Sequence, residues 1–174
     1  VEIYQGVANY LSHYTAGKIP KAFKVIPTLK NWEEILYITQ PNNWTVQAMF
    51  QATKLFASNL NNKMAQRFYY IILLPKIRHD IEVNKHLNYH LYQSVIKSIF
   101  KPSAFFKGIL LPLAEWGCTP REAVIISSIL SKSSIPSEYS AYALLKLSQL
   151  QYTPATTLFM KTLLNKKYAL PHKV

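Results

Sequence analysis

The sequence predicts an all-α fold, an antiparallel array of eight to ten helices that resembles an α-solenoid of helical hairpins. Apolar residues recur at three-and-four spacing along most of the chain, and no strand-like alternation competes with that period. Prolines precede four apolar runs in the second half, at Pro102, Pro120, Pro136 and Pro154. This spacing gives helical pairs of about 34 residues, the period of stacked helix-turn-helix repeats. Helices are therefore predicted to begin within about two residues of each proline.

The first thirty residues divide into a helix and a basic connector. Residues 1–14 place apolar side chains three and four positions apart, which predicts a short amphipathic helix. Residues 15–31 hold Gly17, Pro20 and Pro27, none of which suits a helix interior, so an extended basic connector is predicted here. The lysines of such a connector would not form ion pairs with neighbouring residues of the same helix.

Three helices are predicted in the next stretch. The first covers residues 32–39 and stops before Pro41, because the residue ahead of a proline is biased away from helical backbone angles. The second follows Thr45, whose hydroxyl suits the N-cap position. The third covers about residues 61–83, and the missing amide of Pro75 predicts a kink or a break within it.

The second half of the chain carries clearer helix boundaries. Two apolar stripes that start at Leu87 predict an inner helix with neighbours on two sides. Thr119 and Glu122 have the spacing of a capping box, in which side chain and backbone of the two residues satisfy each other. Gly117 suits the end of the preceding helix.

The chain has the length of one domain. Its 174 residues include 49% apolar residues, enough for a core, and only 16% charged residues, which excludes a disordered tail. We expect residues 1–174 to form a single all-α domain that is truncated at its C-terminal end. This expectation rests on apolar residues where a helical array needs a polar cap: Leu163, Leu164, Tyr168 and Leu170.

The charge balance indicates a polyanionic partner. Twenty Lys and Arg against eight Asp and Glu give a net charge of +12. The candidate RNA-binding residues form two clusters. The first lies in the connector and consists of Lys18, Lys21 and Lys24. The second lies near Pro75 and consists of Arg67, Lys76 and Arg78. Acidic residues are absent from the forty-odd positions before Asp80, so the second cluster has few local counterions. The alternative is that the lysines only solvate the surface, or that Arg67 is buried against Glu or Asp in an ion pair that holds the fold.

No motif in the sequence indicates an enzyme. His86 and His90 lie one helical turn apart, as in a zinc clamp, but a third ligand is not evident, and neither a metal nor another cofactor is expected. Cys118 has no nearby histidine in sequence and is expected to be a packed turn residue. The chain has no glycine-rich phosphate loop and no apolar run of the ~18 residues that span a bilayer, so neither a small-molecule substrate nor a membrane is expected as partner.

Six segments resemble the bystin family, and together they extend over essentially the whole chain. They are long and idiosyncratic: 17–27 (GKIPKAFKVIP), 31–39 (NWEEILYIT), 65–69 (AQRFY), 73–78 (LLPKIR), 100–112 (FKPSAFFKGILLP) and 166–171 (KKYALP). One position departs from the family pattern, because His79 stands where an acidic residue is expected. The resemblance therefore transfers no acidic role to that position.

The resemblance implies a non-enzymatic assembly factor of the small (40S) ribosomal subunit. Such a protein binds precursor rRNA and supports rRNA processing, pre-40S maturation and export. The resemblance also implies ribosomal proteins and other assembly factors of the pre-40S head as partners. It further implies a nuclear and nucleolar location with shuttling to the cytoplasm, and family members that continue with further helices beyond this stretch.

Two other functions are consistent with the sequence. The first is a helical-repeat adaptor that binds only proteins and uses its lysines for solubility. The second is an enzyme built on the His86 and His90 pair, which a metal analysis of the purified protein would test. Salt separates RNA binding from the adaptor function, because phosphate contacts weaken steeply with ionic strength and apolar contacts do not.

Overall fold

The computed structural model of the chain describes residues 1–167. In this part of the chain 75% of the residues are helical and no strand is present, so the all-α prediction is confirmed. The described residues form ten α-helices, two of which contain a π-helical segment, and two 3₁₀ turns. None of these helices combines the length and the hydropathy needed to cross a membrane.

The helices have the following bounds. The first four are α1 (Glu2–Ser12), α2 (Lys21–Lys24), α3 (Trp32–Ile38) and α4 (Val46–Asn59), with 3₁₀ turns at Ile26–Thr28 and Pro41–Asn43. Helix α5 runs without interruption through Asn62–Phe68, a π-helical segment Tyr69–Leu73 and Leu74–Asn84. Helix α6 is Tyr89–Ser98, and α7 runs through Pro102–Phe105, a π-helical segment Phe106–Leu110 and Leu111–Trp116. The last three are α8 (Pro120–Lys132), α9 (Ser137–Ser148) and α10 (Pro154–Leu164).

The prolines of the second half mark helix starts, as predicted. Helices α7, α8 and α10 begin at Pro102, Pro120 and Pro154, and Pro136 is the N-cap of α9. A proline at the first helical position leaves no bond unmade, because that amide has no partner within the helix. The regular spacing of the four prolines therefore indicates the length of each helix together with the turn that follows it.

The predicted helix caps are present. The Thr45 hydroxyl accepts a hydrogen bond from the amide of Ala48 at 3.1 Å. At the start of α8 the Thr119 hydroxyl accepts from the Glu122 amide at 3.1 Å, and a Glu122 carboxylate oxygen accepts from the Thr119 amide at 2.9 Å. This reciprocal pair is a capping box and satisfies two amides that the helix leaves unpaired.

From α4 onward, each helix packs against the helix two places along the chain. The pairs are α4 with α6, α5 with α7, α6 with α8, α7 with α9 and α8 with α10. This order is the one expected when helical pairs stack into an array, with each layer burying the next. At the C-terminal end Leu163 is buried and Leu164 is 53% exposed, while Tyr168 and Leu170 lie outside the described residues. The truncated end therefore stays a prediction.

The connector is more folded than the sequence analysis predicted. Residues 15–31 are not extended throughout, since they contain α2 and a 3₁₀ turn. The physical reason is burial: Phe23 and Ile26 are almost fully buried, and Phe23 meets the rings of Trp44 and Phe56 edge-on at centroid distances of 5.5 and 5.8 Å. The apolar residues between the lysines therefore fold this segment onto the array.

Neither long helix breaks at its internal proline. Both carry the tripeptide Leu-Leu-Pro, which ends at Pro75 in α5 and at Pro112 in α7. In each case the π-helical segment ends two residues before the proline, and the next amide bonds five residues back, from Leu74 to the Tyr69 carbonyl and from Leu111 to the Phe106 carbonyl. The extra residue of the π turn accommodates the missing amide and the proline ring. Of the kink or break predicted at Pro75, the break is absent and a π segment precedes the proline, while the kink stays a prediction.

The two π-containing helices meet at Gly108. A Cβ atom at this buried position would lie 2.8 Å from the carbonyl oxygen of Gln66 and 3.2 Å from the Cβ atom of Tyr69. Both distances are shorter than an ordinary van der Waals contact, and one of the partners is backbone that cannot rotate away. Only glycine therefore permits α5 and α7 to approach this closely.

We expect Gly108→Ala to lower the free energy of unfolding by about 1–3 kcal/mol, because the new methyl group overpacks the helix crossing. Gly6→Ala is the matched control. Gly6 lies within α1 with no atom within 4 Å of an added Cβ, so alanine there should stabilise the protein by about 0.5–1 kcal/mol. Urea denaturation of both variants gives the comparison. Equal effects of the two substitutions would contradict the close crossing.

Candidate nucleic-acid interface

The three connector lysines are exposed on a backbone that is held in place. Lys18, Lys21 and Lys24 are all exposed, and none forms an ion pair with a carboxylate of the described residues. Two tyrosines fix the chain that carries them: the Tyr10 hydroxyl donates to the Lys18 carbonyl at 3.1 Å, and the Tyr14 hydroxyl donates to the Gly17 carbonyl at 2.7 Å. The connector thus presents uncompensated positive charge from a packed segment.

A fourth lysine joins this surface from α4. Lys54 and Lys24 line one cleft of about 290 Å³, together with Ile19 and Ser58, and the described lining contains no acidic residue. The Lys54 ammonium also lies 5.4 Å from the centroid of the Phe50 ring. We call Lys18, Lys21, Lys24 and Lys54 the connector face. Sequence spacing could not reveal Lys54, because folding brings it to Lys24 from thirty positions further along the chain.

Arg67 in the second cluster has a structural partner. Its Nε and Nη2 atoms both donate to one carboxylate oxygen of Glu33 on α3, at 3.1 and 3.0 Å. The hydrogen bond to Glu33 raises the pKa of Arg67 above its ordinary value. The pair links α3 to α5 and is largely open to solvent, so its contribution to stability is small.

Lys76 is half-buried, and its ammonium is bonded to backbone carbonyls. Its ammonium donates to the carbonyl of Trp44 at 2.8 Å and is 3.5 Å from the carbonyl of Asn42. Burial lowers the pKa of Lys76, and the nearby carboxylate of Asp80 opposes that shift. The ammonium therefore serves as a hydrogen-bond donor to the turn that precedes α4.

Arg78 is paired with a carboxylate that is almost fully buried. Its Nε atom donates to Glu122 Oε2 at 2.8 Å and its Nη2 atom to Glu122 Oε1 at 3.3 Å. The Glu122 side chain is 5% exposed and the Arg78 side chain 41%. Arg78 also donates to the carbonyl of Gly117 at 3.3 Å. The guanidinium thus neutralises the capping-box carboxylate and binds the turn before α8.

The second cluster therefore has partners within the fold: carboxylates for Arg67 and Arg78 and a backbone carbonyl for Lys76. Arg67, Lys76 and Arg78 each bind a group 32 to 44 positions away along the chain. The expectation that they have few local counterions holds in sequence but not in space. The proposed ion pair of Arg67 with an acidic residue is present, in exposed rather than buried form. Contact of these three side chains with RNA stays a prediction, and the connector face is the better candidate.

The structure shows the surroundings of the histidine pair and of Cys118, the residues considered for enzyme chemistry, and of the nearby carboxylate of Asp80. Among residues 1–167 no group of three or more His, Cys, Asp or Glu side chains is placed to hold a metal ion, the pair at His86 and His90 included. The Asp80 carboxylate accepts from the Asn88 amide at 2.7 Å and the Asn84 side chain at 2.8 Å, which shapes the turn into α6. Burial raises the pKa of the half-buried Cys118 thiol to about 11, so the thiol is protonated at neutral pH.

The family model that matches the chain and three of the proteins similar to it carry the same name. The family model described as Bystin matches residues 1–174. Proteins named bystin are 61% identical in Monosiga brevicollis, 55% in Homo sapiens and 52% in Drosophila melanogaster. The alignments cover 100%, 100% and 99% of this chain and 42%, 40% and 40% of the relatives. The chain thus spans about two fifths of the length of these relatives.

We expect Arg78→Ala to lower the free energy of unfolding by about 1–3 kcal/mol, because it leaves the buried carboxylate of Glu122 without its cation. Arg67→Ala is the matched control. It removes the same side chain from an exposed pair and should cost less than about 1 kcal/mol. Urea denaturation at constant ionic strength measures both. An Arg67→Ala variant at least as destabilised as Arg78→Ala would contradict this difference in burial.

We expect Cys118 to react slowly with iodoacetamide. With a pKa of about 11, its smaller thiolate fraction at pH 8 should make alkylation roughly two hundredfold slower than that of a free cysteine of pKa about 8.5. The rate should keep rising with pH toward 11, and mass spectrometry follows it without ambiguity because the chain has one cysteine. A rate at pH 8 equal to that of free cysteine would instead indicate an activated thiol.

Proposed function

Since this chain belongs to the Bystin family, we propose that it acts as a non-enzymatic assembly factor of the small (40S) ribosomal subunit and binds precursor rRNA through the connector face. The proposed roles are support of rRNA processing and of the maturation and export of pre-40S particles. Ribosomal proteins and other assembly factors of the pre-40S head are the proposed protein partners. The proposed location is the nucleus and nucleolus, with shuttling to the cytoplasm.

One observation carries the RNA-binding part of this proposal. The connector lysines are exposed without an acidic partner among the described residues, while the arginines of the second cluster are bound to carboxylates. In a chain of net charge +12, exposed cations without acidic partners attract phosphates by long-range forces and by release of counterions. The lysines are therefore available for phosphate without breaking any ion pair of the fold.

The packing beneath the connector supports the same function. Phe23 anchors α2 in the core through its contacts with Trp44 and Phe56, so Lys21 and Lys24 extend from a helical turn that is already ordered. Residues three apart on a helical turn lie on the same side. A surface that is ordered before binding loses less conformational entropy when it meets a rigid phosphate backbone.

The alternative function is an adaptor that binds only proteins. Exposed apolar side chains favour it, since Trp116 and Tyr152 are 75% and 77% exposed and Val124 is 59% exposed. In this case the lysines would contribute to solubility, and binding of any partner through these apolar groups would depend little on salt.

The test is the salt dependence of binding to a small-subunit rRNA fragment. If the four lysines of the connector face each engage one phosphate, the logarithm of the affinity should fall with the logarithm of salt concentration with a slope of roughly −3 to −4. Replacing Lys18, Lys21 and Lys24 together with glutamine should reduce the magnitude of that slope by roughly 2–3, because each lost phosphate contact removes somewhat less than one. Fluorescence anisotropy over a salt series measures both.

The matched control replaces Lys97, Lys146 and Lys161, three exposed lysines on other helices, with glutamine. This variant has the same change in net charge and should keep the parent slope. A connector variant with unchanged affinity and slope, and an unchanged circular dichroism spectrum, would overturn the connector face and favour the adaptor function.

A further inference from the structure

A second surface with mixed apolar and basic character lies away from the connector lysines. A cleft of about 560 Å³ opens between α3, α5 and α7. Helix α5 contributes Lys63, Met64 and Tyr70 to its lining, and α7 contributes Lys107 and Trp116. Its volume suits one or two bulky side chains of a ligand.

The apolar part of the cleft is unusually open to solvent. Trp116 is 75% exposed, Tyr70 42% and Met64 40%, whereas Trp32 and Trp44 are buried in the core. Tryptophan, tyrosine and methionine are enriched in protein interfaces, and tryptophan is among the residues that contribute most to binding. The three side chains share one lining and therefore form one contact surface rather than scattered exposed groups.

The basic part of the cleft is not neutralised by the fold. Arg67 and Glu33 both line the cleft and are paired with each other, which leaves the charges of Lys63 and Lys107. Both lysines are exposed, and the Lys107 ammonium lies 5.5 Å from the centroid of the Tyr142 ring. The described lining contains no second carboxylate. The cleft therefore carries an excess of positive charge around an apolar floor.

The walls of the cleft are set by contacts within the fold. Gln66 lines the cleft, and its carbonyl faces Gly108 at the crossing of α5 with α7. The bond between Arg67 and Glu33 joins α3 to α5 at the same place. The site is thus formed before a ligand arrives, which reduces the entropic cost of binding.

We propose that this cleft binds an acidic segment of a partner protein, with one apolar side chain of that segment packed against Trp116 and its carboxylates near Lys63 and Lys107. The lining combines the rings of Tyr70 and Trp116 with Met64, and the only carboxylate among the described lining residues, Glu33, is already paired with Arg67. The two remaining cations, Lys63 and Lys107, match a segment with a few carboxylates beside an apolar anchor better than an RNA strand, which carries a phosphate at every nucleotide. The site is distinct from the connector face and goes beyond the proposed binding of rRNA.

The first experiment asks whether the cleft is open in the intact protein. Because Trp32 and Trp44 are buried, acrylamide should quench mainly the fluorescence of Trp116, and the accessible fraction should disappear in Trp116→Phe. A Trp116 signal that acrylamide does not reach would overturn the proposal, since another part of the protein would then cover the cleft.

The second experiment selects peptides from a random phage-displayed library on the intact protein. The expected consensus is one aromatic or aliphatic residue flanked by Asp and Glu. Synthetic versions of the selected peptides should bind Trp116→Ala at least about tenfold more weakly, and the control Tyr152→Ala, which removes an exposed aromatic ring elsewhere, with parent affinity. The double variant Lys63→Glu and Lys107→Glu should lose the acidic peptides and regain binding to versions in which Lys replaces Asp and Glu.

Three outcomes overturn the proposal. One is a selection without an acidic consensus, and another is a selected peptide that binds Trp116→Ala as tightly as the parent. The third is an oligouridine that protects Trp116 from acrylamide when the peptides do not, which would assign the cleft to RNA.

The proposal for the cleft and the proposal for the connector face can fail independently of each other. Substitution of Lys18, Lys21 and Lys24 should leave peptide binding unchanged, and Trp116→Ala should leave the salt slope of rRNA binding unchanged.

Discussion

The contact of Gly108 with the carbonyl of Gln66 sets the geometry of the central helices. Two π-helical segments face each other beside this contact, and each ends within a Leu-Leu-Pro sequence whose proline lacks an amide hydrogen. The crossing fixes α5 against α7 and thereby the direction in which the side chains of α5 extend. The walls of the cleft lined by Met64, Tyr70 and Trp116 follow from this close approach.

The positive charge of the chain is divided between two uses. On α5, Arg67, Lys76 and Arg78 donate to Glu33, the Trp44 carbonyl and Glu122, and so they hold neighbouring elements together. Lysines of the connector remain exposed while Phe23 and Ile26, which alternate with them along the chain, are buried. The planar guanidinium groups of Arg67 and Arg78 each donate two hydrogen bonds to a carboxylate, which suits their rigid geometry. Lys76 has a structural role as well, through the carbonyl of Trp44.

Local features of the sequence predicted the helices well, and the limits of that prediction are physical. Pro102, Pro120, Pro136 and Pro154 mark helix starts because a proline acts on its own neighbours, and the capping box of Thr119 is equally local. The π segments escaped prediction because the missing amide can be accommodated by a break, a kink or an inserted residue, and tertiary packing decides among these. The candidate site was predicted in part: the connector lysines are exposed as expected, but the partners of Arg67 and Arg78 and the approach of Lys54 depend on contacts between residues far apart in sequence.

The cross-links of α5 also impose an order on folding during synthesis. Arg67 donates to Glu33, and Lys76 donates to the carbonyl of Trp44. Both acceptors leave the ribosome before α5, so both hydrogen bonds can form as soon as this helix emerges. Arg78 must wait until Glu122 has been translated. A nascent chain that ends between these two residues can therefore form the first two cross-links while Arg78 is still without its counterion. The last of the three cross-links to close joins the first half of the chain to the second.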